Sequence, residues 1–169
     1  MNYLATTIGV FGVVMLILSY QQRRRKNILF CNIIARTLFI LQYFLLFAFE
    51  GAVLDIVAVV GSLPAQWKEK PWIKKHLLPV IIGVNVLILA VGLLMFRNLF
   101  SLLPVLAVLL QVNALWCSKE KNVRLLSLAG VPCWLGYNLY TAAYGSVLAD
   151  VLSVVSLCVA LWRYDLKKK

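Results

Sequence analysis

The chain has 169 residues, 63% of them hydrophobic and 14% charged, against about 25% charged in a soluble globular domain, which excludes an ordinary water-soluble domain and, with so much apolar content, a disordered chain. The formal net charge of +11 invites a nucleic-acid reading, since Lys and Arg neutralise phosphates, but the cations sit in short clusters between apolar runs, which points to membrane topology instead. A spanning helix takes about 20 apolar residues, so seven take roughly 140 positions and leave no room for a soluble domain.

The first apolar run, 3–20, has no basic residue before it and is followed by Arg23, Arg24, Arg25 and Lys26. That order is the reverse of a secretory signal, so the run is expected to remain in the mature protein as a helix. A second run, 27–49, and a third, 52–66, precede the cluster Lys68, Lys70, Lys74 and Lys75. The fourth, 77–96, and fifth, 99–116, lead to Lys119, Lys121 and Arg124, around which the sixth run, 122–144, begins. The seventh, 147–162, ends at Arg163, Lys167, Lys168 and Lys169, and only Arg36 and Arg97 lie outside the clusters. Because short cytoplasmic loops are rich in Lys and Arg, the pattern predicts an outer N-terminus and a cytoplasmic C-terminus. Trp67, Trp72, Trp116 and Trp162 then fall near the cytoplasmic boundary, as headgroup anchors do.

A shift of 95 positions lays Lys26-Asn27 on Lys121-Asn122, Asp55 on Asp150 and Trp67-Lys68 on Trp162-Arg163. A one-residue slip also pairs Gly51-Ala52-Val53-Leu54 with Gly145-Ser146-Val147-Leu148. The fold class expected is therefore all-α and polytopic: one membrane domain over 1–169 in a 3+1+3 arrangement, with repeat one at 3–67, a linker helix at 77–96 and repeat two at 99–163. Three helices reverse the chain's side and the linker restores it, so the two repeats run parallel, related by a pseudo-two-fold axis along the membrane normal, with a site where they meet.

A charge at the centre of a spanning helix costs about 2.5 to 3.5 kcal/mol, so polar residues there are informative. On the second helix Asn32, Arg36, Phe39 and Tyr43 share one face; the same shift carries them to Ser127, Val131, Trp134 and Asn138 on the sixth. Both stripes mix amides with aromatic rings, which suits a small polar ligand as well as hydrogen bonds between helices. Asp55 and Asp150 lie about four residues from the outer ends of the third and seventh helices, roughly 6 Å down, while Arg36 lies roughly 14 Å above the inner end of the second. A long Arg chain reaching upward can close that gap. With two acids and one base, one aspartate is left to bind a proton or a cationic group, unless the three form a structural charge lock. Pro104 and Pro132 mark expected flexing points, and Gln42, Gln111 and Asn113 receive no role. Cys31, Cys117, Cys133 and Cys158 show no CxxC spacing, and His76 stands alone in a basic loop, so no metal, cofactor or disulfide is expected.

The stretches 102–117, Cys133-Trp-Leu-Gly-Tyr-Asn138 and 42–55 resemble the bacterial inner-membrane YgjV family over most of the chain; that resemblance implies a multi-pass protein of the inner membrane. More remotely, the layout is similar to the SWEET and PQ-loop group, which implies a small-solute carrier, although Asp55 and Asp150 stand where that group carries asparagines and Tyr20-Gln21-Gln22 replaces its proline-glutamine pair. The function expected is a small-solute transporter working by alternating access, proton-linked, with Asn32, Arg36, Tyr43, Asp55, Trp134, Asn138 and Asp150 as substrate-binding residues. The alternative is a membrane receptor, chaperone or assembly factor. An enzyme is not expected, since HExxH, GxSxG and P-loop motifs are absent from the sequence. The partners expected are the bilayer, a small polar solute and further copies of the chain, with no nucleic acid.

Overall fold

The computed structural model describes residues 3–45, 47, 49–140 and 144–166. The described chain is helical: α1 (Tyr3–Gln21), α2 (Arg25–Leu45), α3 (Phe49–Gln66), α4 (Pro71–Lys75), α5 (Leu77–Leu94), α6 (Leu102–Trp116), α7 (Glu120–Tyr140) and α8 (Tyr144–Leu161). The seven predicted runs each form a helix. Lys167, Lys168 and Lys169 of the last basic cluster lie outside the described residues. The short α4 was not expected; it forms inside a stretch read only as a basic loop, where Pro71 presets the first-turn dihedral and Ile73 is buried.

Length and composition qualify four segments for crossing a bilayer: 26–45, Leu77–Leu94, Leu99–Trp116 and 146–165. Thr7–Gln21 and Ala52–Gln66 are shorter apolar helices. α7 falls in neither group, since Arg124, Ser127, Pro132, Trp134, Tyr137 and Asn138 lower its mean hydropathy, so four of the expected seven crossings meet this criterion among the described residues. The face of α5 carrying Leu78, Ile82, Val86, Leu89 and Leu93 is exposed, which requires an apolar surrounding.

Packing follows a closed order. Each of α2 and α7 contacts both helices flanking it in sequence, α3 meets α6, and α8 meets α1, so these six helices form a ring; α5 lies against α3 and α6. Gly61 and Gly92 permit that approach, since a Cβ on either would press into Val84 or Val105. Asn85 of α5 and Asn113 of α6 exchange amide hydrogen bonds of 3.2 and 2.6 Å, so Asn113, without a role in the sequence, fastens α5 to the ring. Pro104 falls in the first turn of α6, where no intrahelical N–H is lost, and so is not a kink; Pro132 is inside α7. Trp116 is buried among Ile28, Leu29, Ala65, Ile73 and Val123 rather than exposed as an anchor, whereas Trp67, Trp72 and Trp162 are exposed.

The basic clusters meet at one end of the bundle. Lys68 Nζ donates to the Trp116 and Cys117 carbonyls at 3.3 and 3.2 Å and to Ser118 Oγ at 3.1 Å, placing a cation at the C-terminus of α6, where the helix dipole favours it. Arg124, 2% exposed, does the same for α1: Nε donates to the Tyr20 carbonyl at 3.3 Å, Nη2 to the Gln22 carbonyl at 2.7 Å, and Nη1 pairs with Asp165 at 2.8 Å. Arg124→Ala removes one partner of a buried ion pair together with two carbonyl partners, so it should cost about 3 kcal/mol. The exposed neighbour Lys121→Ala should stay within about 0.5 kcal/mol. Thermal unfolding of the purified variants in detergent checks both values.

Candidate functional site

The six ring helices enclose a cavity of about 410 Å³, within the usual range of ligand pockets. Its polar wall begins on α2, whose helical spacing turns Arg36, Phe39 and Tyr43 inward on one face. Arg36, 6% exposed, cannot shed its charge and must be paired. Its Nη1 meets Asp55 Oδ1 of α3 at 2.7 Å, its Nε donates to Asn32 Oδ1 at 3.2 Å, and its Nη2 donates to Gln111 Oε1 of α6 at 2.6 Å. Gln111 Oε1 also accepts from Trp134 Nε1 of α7 at 3.3 Å. One guanidinium thus ties together α2, α3 and α6, and through Gln111 reaches α7.

The opposite wall is built differently. Asn138 of α7 donates through Nδ2 to Asp150 Oδ2 of α8 at 2.8 Å, and among the described residues no cation pairs with Asp150. Arg36 and Asp55 cancel formally, so the cavity carries one uncompensated carboxylate. Three residues on, Ser153 Oγ is buried without a hydrogen-bond partner among the described residues and lines the same cavity. Gly9 of α1 makes room for Gln42, whose amide would overlap a Cβ at that position.

Toward the basic end the cavity has a floor. Tyr20 and Val131 line it and pack with Leu157, flanked by Leu16, Leu128 and Val154. Beneath this cluster Gln21 Nε2 of α1 donates to the Ser156 carbonyl and Oγ of α8 at 2.7 and 2.9 Å, and the Arg124 network lies at the same end.

Of the residues singled out in the sequence, Arg36, Tyr43, Asp55, Trp134, Asn138 and Asp150 line the cavity. Asn32 does not; it braces Arg36 from one turn away. The ion pair that required a depth gap to be closed is formed. Gln111, Tyr20, Gln42 and Ser153 were missed. For Gln111 a signal was present, a polar amide within the apolar α6, and it deserved the weight given to Asn32. Ser153 carried none, because serine is unremarkable in membrane helices.

The chain matches the Imp-YgjV family of bacterial inner membrane proteins over residues 3–168 and belongs to that family. No curated protein and no solved structure matches it.

The buried pair yields a test by double-mutant cycle. Arg36→Leu or Asp55→Leu alone leaves an unpaired charge in the bundle and should each cost about 3 to 5 kcal/mol, whereas the double variant should recover most of that loss. Unfolding in a mild detergent measures the coupling; additive losses would mean that the pair does not act as a unit.

Proposed function

We propose that the protein is a small-solute transporter of the inner membrane, in which two parallel three-helix repeats, α1–α3 and α6–α8, enclose the solute and expose it alternately to each side. The observation that carries this reading is the cavity: every ring helix lines it, and it holds an ion pair, amides and an unpaired carboxylate that a purely structural core would not retain at the cost of burying them. The packing order supports the repeat. Exchanging α1 with α6 and α3 with α8 turns the α1–α8 contact into the α6–α3 contact, as a two-fold axis between parallel units requires. The linker is α5, which lines none of the cavity.

In this reading the basic end is cytoplasmic, the N-terminus is outside and the C-terminus inside. The floor of Tyr20, Val131 and Leu157 then closes the cavity to the cytoplasm. Opening it means parting α1 from α8 where Gln21 holds Ser156, and from α7 where Arg124 holds the Tyr20 and Gln22 carbonyls. Asp150, which has no cationic partner among the described residues, supplies the group that binds a coupling proton. No cofactor and no bond-making chemistry are needed, so the role is carriage rather than catalysis. A receptor or assembly factor would present its polar groups outward to a partner; here Arg36, Asp55, Gln111 and Asn138 turn inward, which favours the carrier.

A thermal-shift panel of sugars, amino acids and organic cations on the purified protein tests the reading. At least one class should stabilise it, and Asp150→Asn should abolish that shift while leaving the ligand-free melting temperature within a few degrees. A stable protein indifferent to the whole panel and to uptake in liposomes would favour partner binding instead. For the topology, a fluorescent protein fused after Lys169 should glow, and an export-dependent phosphatase fused there should stay inactive.

A further inference from the structure

The two seams of the ring are not alike. At the α3–α6 seam Leu54, Val57 and Ala58 pack against Val105, Val108 and Val112, and α5 covers the joint. At the α1–α8 seam the described contacts gather at the basic end, through Gln21 with Ser156 and Leu16 and Tyr20 with Val154 and Leu157. Above them Val10 and Val14 of α1 and Leu148 and Leu152 of α8 line the cavity while keeping 58%, 46%, 61% and 42% of their surface exposed. Each pair is spaced by four residues and so forms one edge of its helix. In a bilayer this gap has hydrocarbon in front of it and the cavity behind it.

Immediately behind the gap stands Asp150. It is partly exposed, it has no cationic partner among the described residues, and Ser153, with its unpartnered hydroxyl, lies one turn away. Tyr20, Phe39, Tyr43 and Trp134 also line the cavity, and aromatic faces attract organic cations once water is excluded. The positive charge of Arg36 is already committed to Asp55 and Gln111, so an anionic group would meet an excess of negative charge. We infer that the solute is an amphipathic organic cation, an alkylammonium compound that enters from the bilayer through the α1–α8 gap, its ammonium group against Asp150 and its chain between Val10, Val14, Leu148 and Leu152. This rests on the carrier reading and narrows it to a substrate class and a route. The chain gains little from moving between lipid and seam; its role is to concentrate the ligand in the leaflet beside the gap.

The test uses the full chain in lipid nanodiscs, with binding of radiolabelled decyltrimethylammonium counted above that of empty nanodiscs. Decyltrimethylammonium should bind at least about tenfold tighter than tetramethylammonium, a difference near 1.4 kcal/mol, and decyl sulfate should not displace it. Asp150→Asn should weaken binding by about tenfold or more, and Asp150→Glu should retain most of it. Leu148→Trp, which narrows the gap, should weaken decyltrimethylammonium binding and leave tetramethylammonium binding unchanged. Displacement by decyl sulfate, indifference to Asp150→Asn, or a photo-crosslinker at position 148 joining two copies across the gap would overturn the inference. If small solutes bind in the cavity and the alkyl chain adds nothing, the lateral route fails while the carrier stands; if neither they nor the amphiphile binds, both fail.

Discussion

A guanidinium that cannot be neutralised, set in a bundle that is otherwise apolar, is the constraint around which this protein closes. Arg36 must find acceptors, and it finds one on its own helix, one on α3 and one on α6. Because Gln111 shares its oxygen with Trp134, the requirement of one side chain extends to a fourth helix. Apolar packing between helices in lipid is weakly directional, since lipid chains are as apolar as the side chains they replace. The polar network supplies the direction, setting which faces of α2, α3, α6 and α7 turn toward one another.

The same network leaves a remainder. Asp55 and Asp150 occupy corresponding places in the sequence, but the residue matching Arg36 by the 95-residue shift is Val131. Asp55 therefore gains a cation, and among the described residues Asp150 has only the amide of Asn138. An arrangement built for stability alone would have paired both acids or removed the second one. Retaining an acid without a countercharge at the edge of an apolar enclosure costs stability, and such a cost is ordinarily retained where a charge has to be received.

Much of this could be read in the sequence, and the reasons for the rest are physical. Helix positions followed from apolar length and charge punctuation, which act locally. The α2 stripe was readable because Asn32, Arg36 and Tyr43 break an apolar surface at helical spacing. The partner of Arg36 was narrowed to two candidates, but choosing Asp55 over Asp150 depends on α2 packing beside α3, a tertiary fact. Gln111 was passed over because one amide on α6 forms no stripe; it matters through the two donors that reach it from other helices. Tyr20 was read as the end of a helix, and its place in the cavity floor depends on α8 crossing α1. The short α4 was hidden by four lysines, which mark a loop in any reading by charge and here surround a buried Ile73.

The distribution of fastenings bears on how such a bundle could move. At the basic end Arg124 closes the C-terminus of α1 and Lys68 that of α6, each through main-chain carbonyls, and Gln21 adds a side-chain tie across to α8. At the opposite end the described ties are fewer: Asn98 Nδ2 to Tyr140 Oη at 3.2 Å, with the Tyr140 ring stacked on Phe100. The α3–α6 seam is backed by α5 through the Asn85–Asn113 pair, and among the described residues no helix backs the α1–α8 seam in this way. Among the described residues, one seam is thus held along its length and the other at one end. Under the carrier reading the covered seam is the hinge, and the α1–α8 seam is where the two repeats part. Among the described residues, the hydrogen bonds that opening the cytoplasmic side would break are those of Gln21 with Ser156, that of Ser156 Oγ with the Ile17 carbonyl at 3.5 Å, and those by which Arg124 of α7 holds the Tyr20 and Gln22 carbonyls of α1, a set to be exchanged against contacts with a ligand.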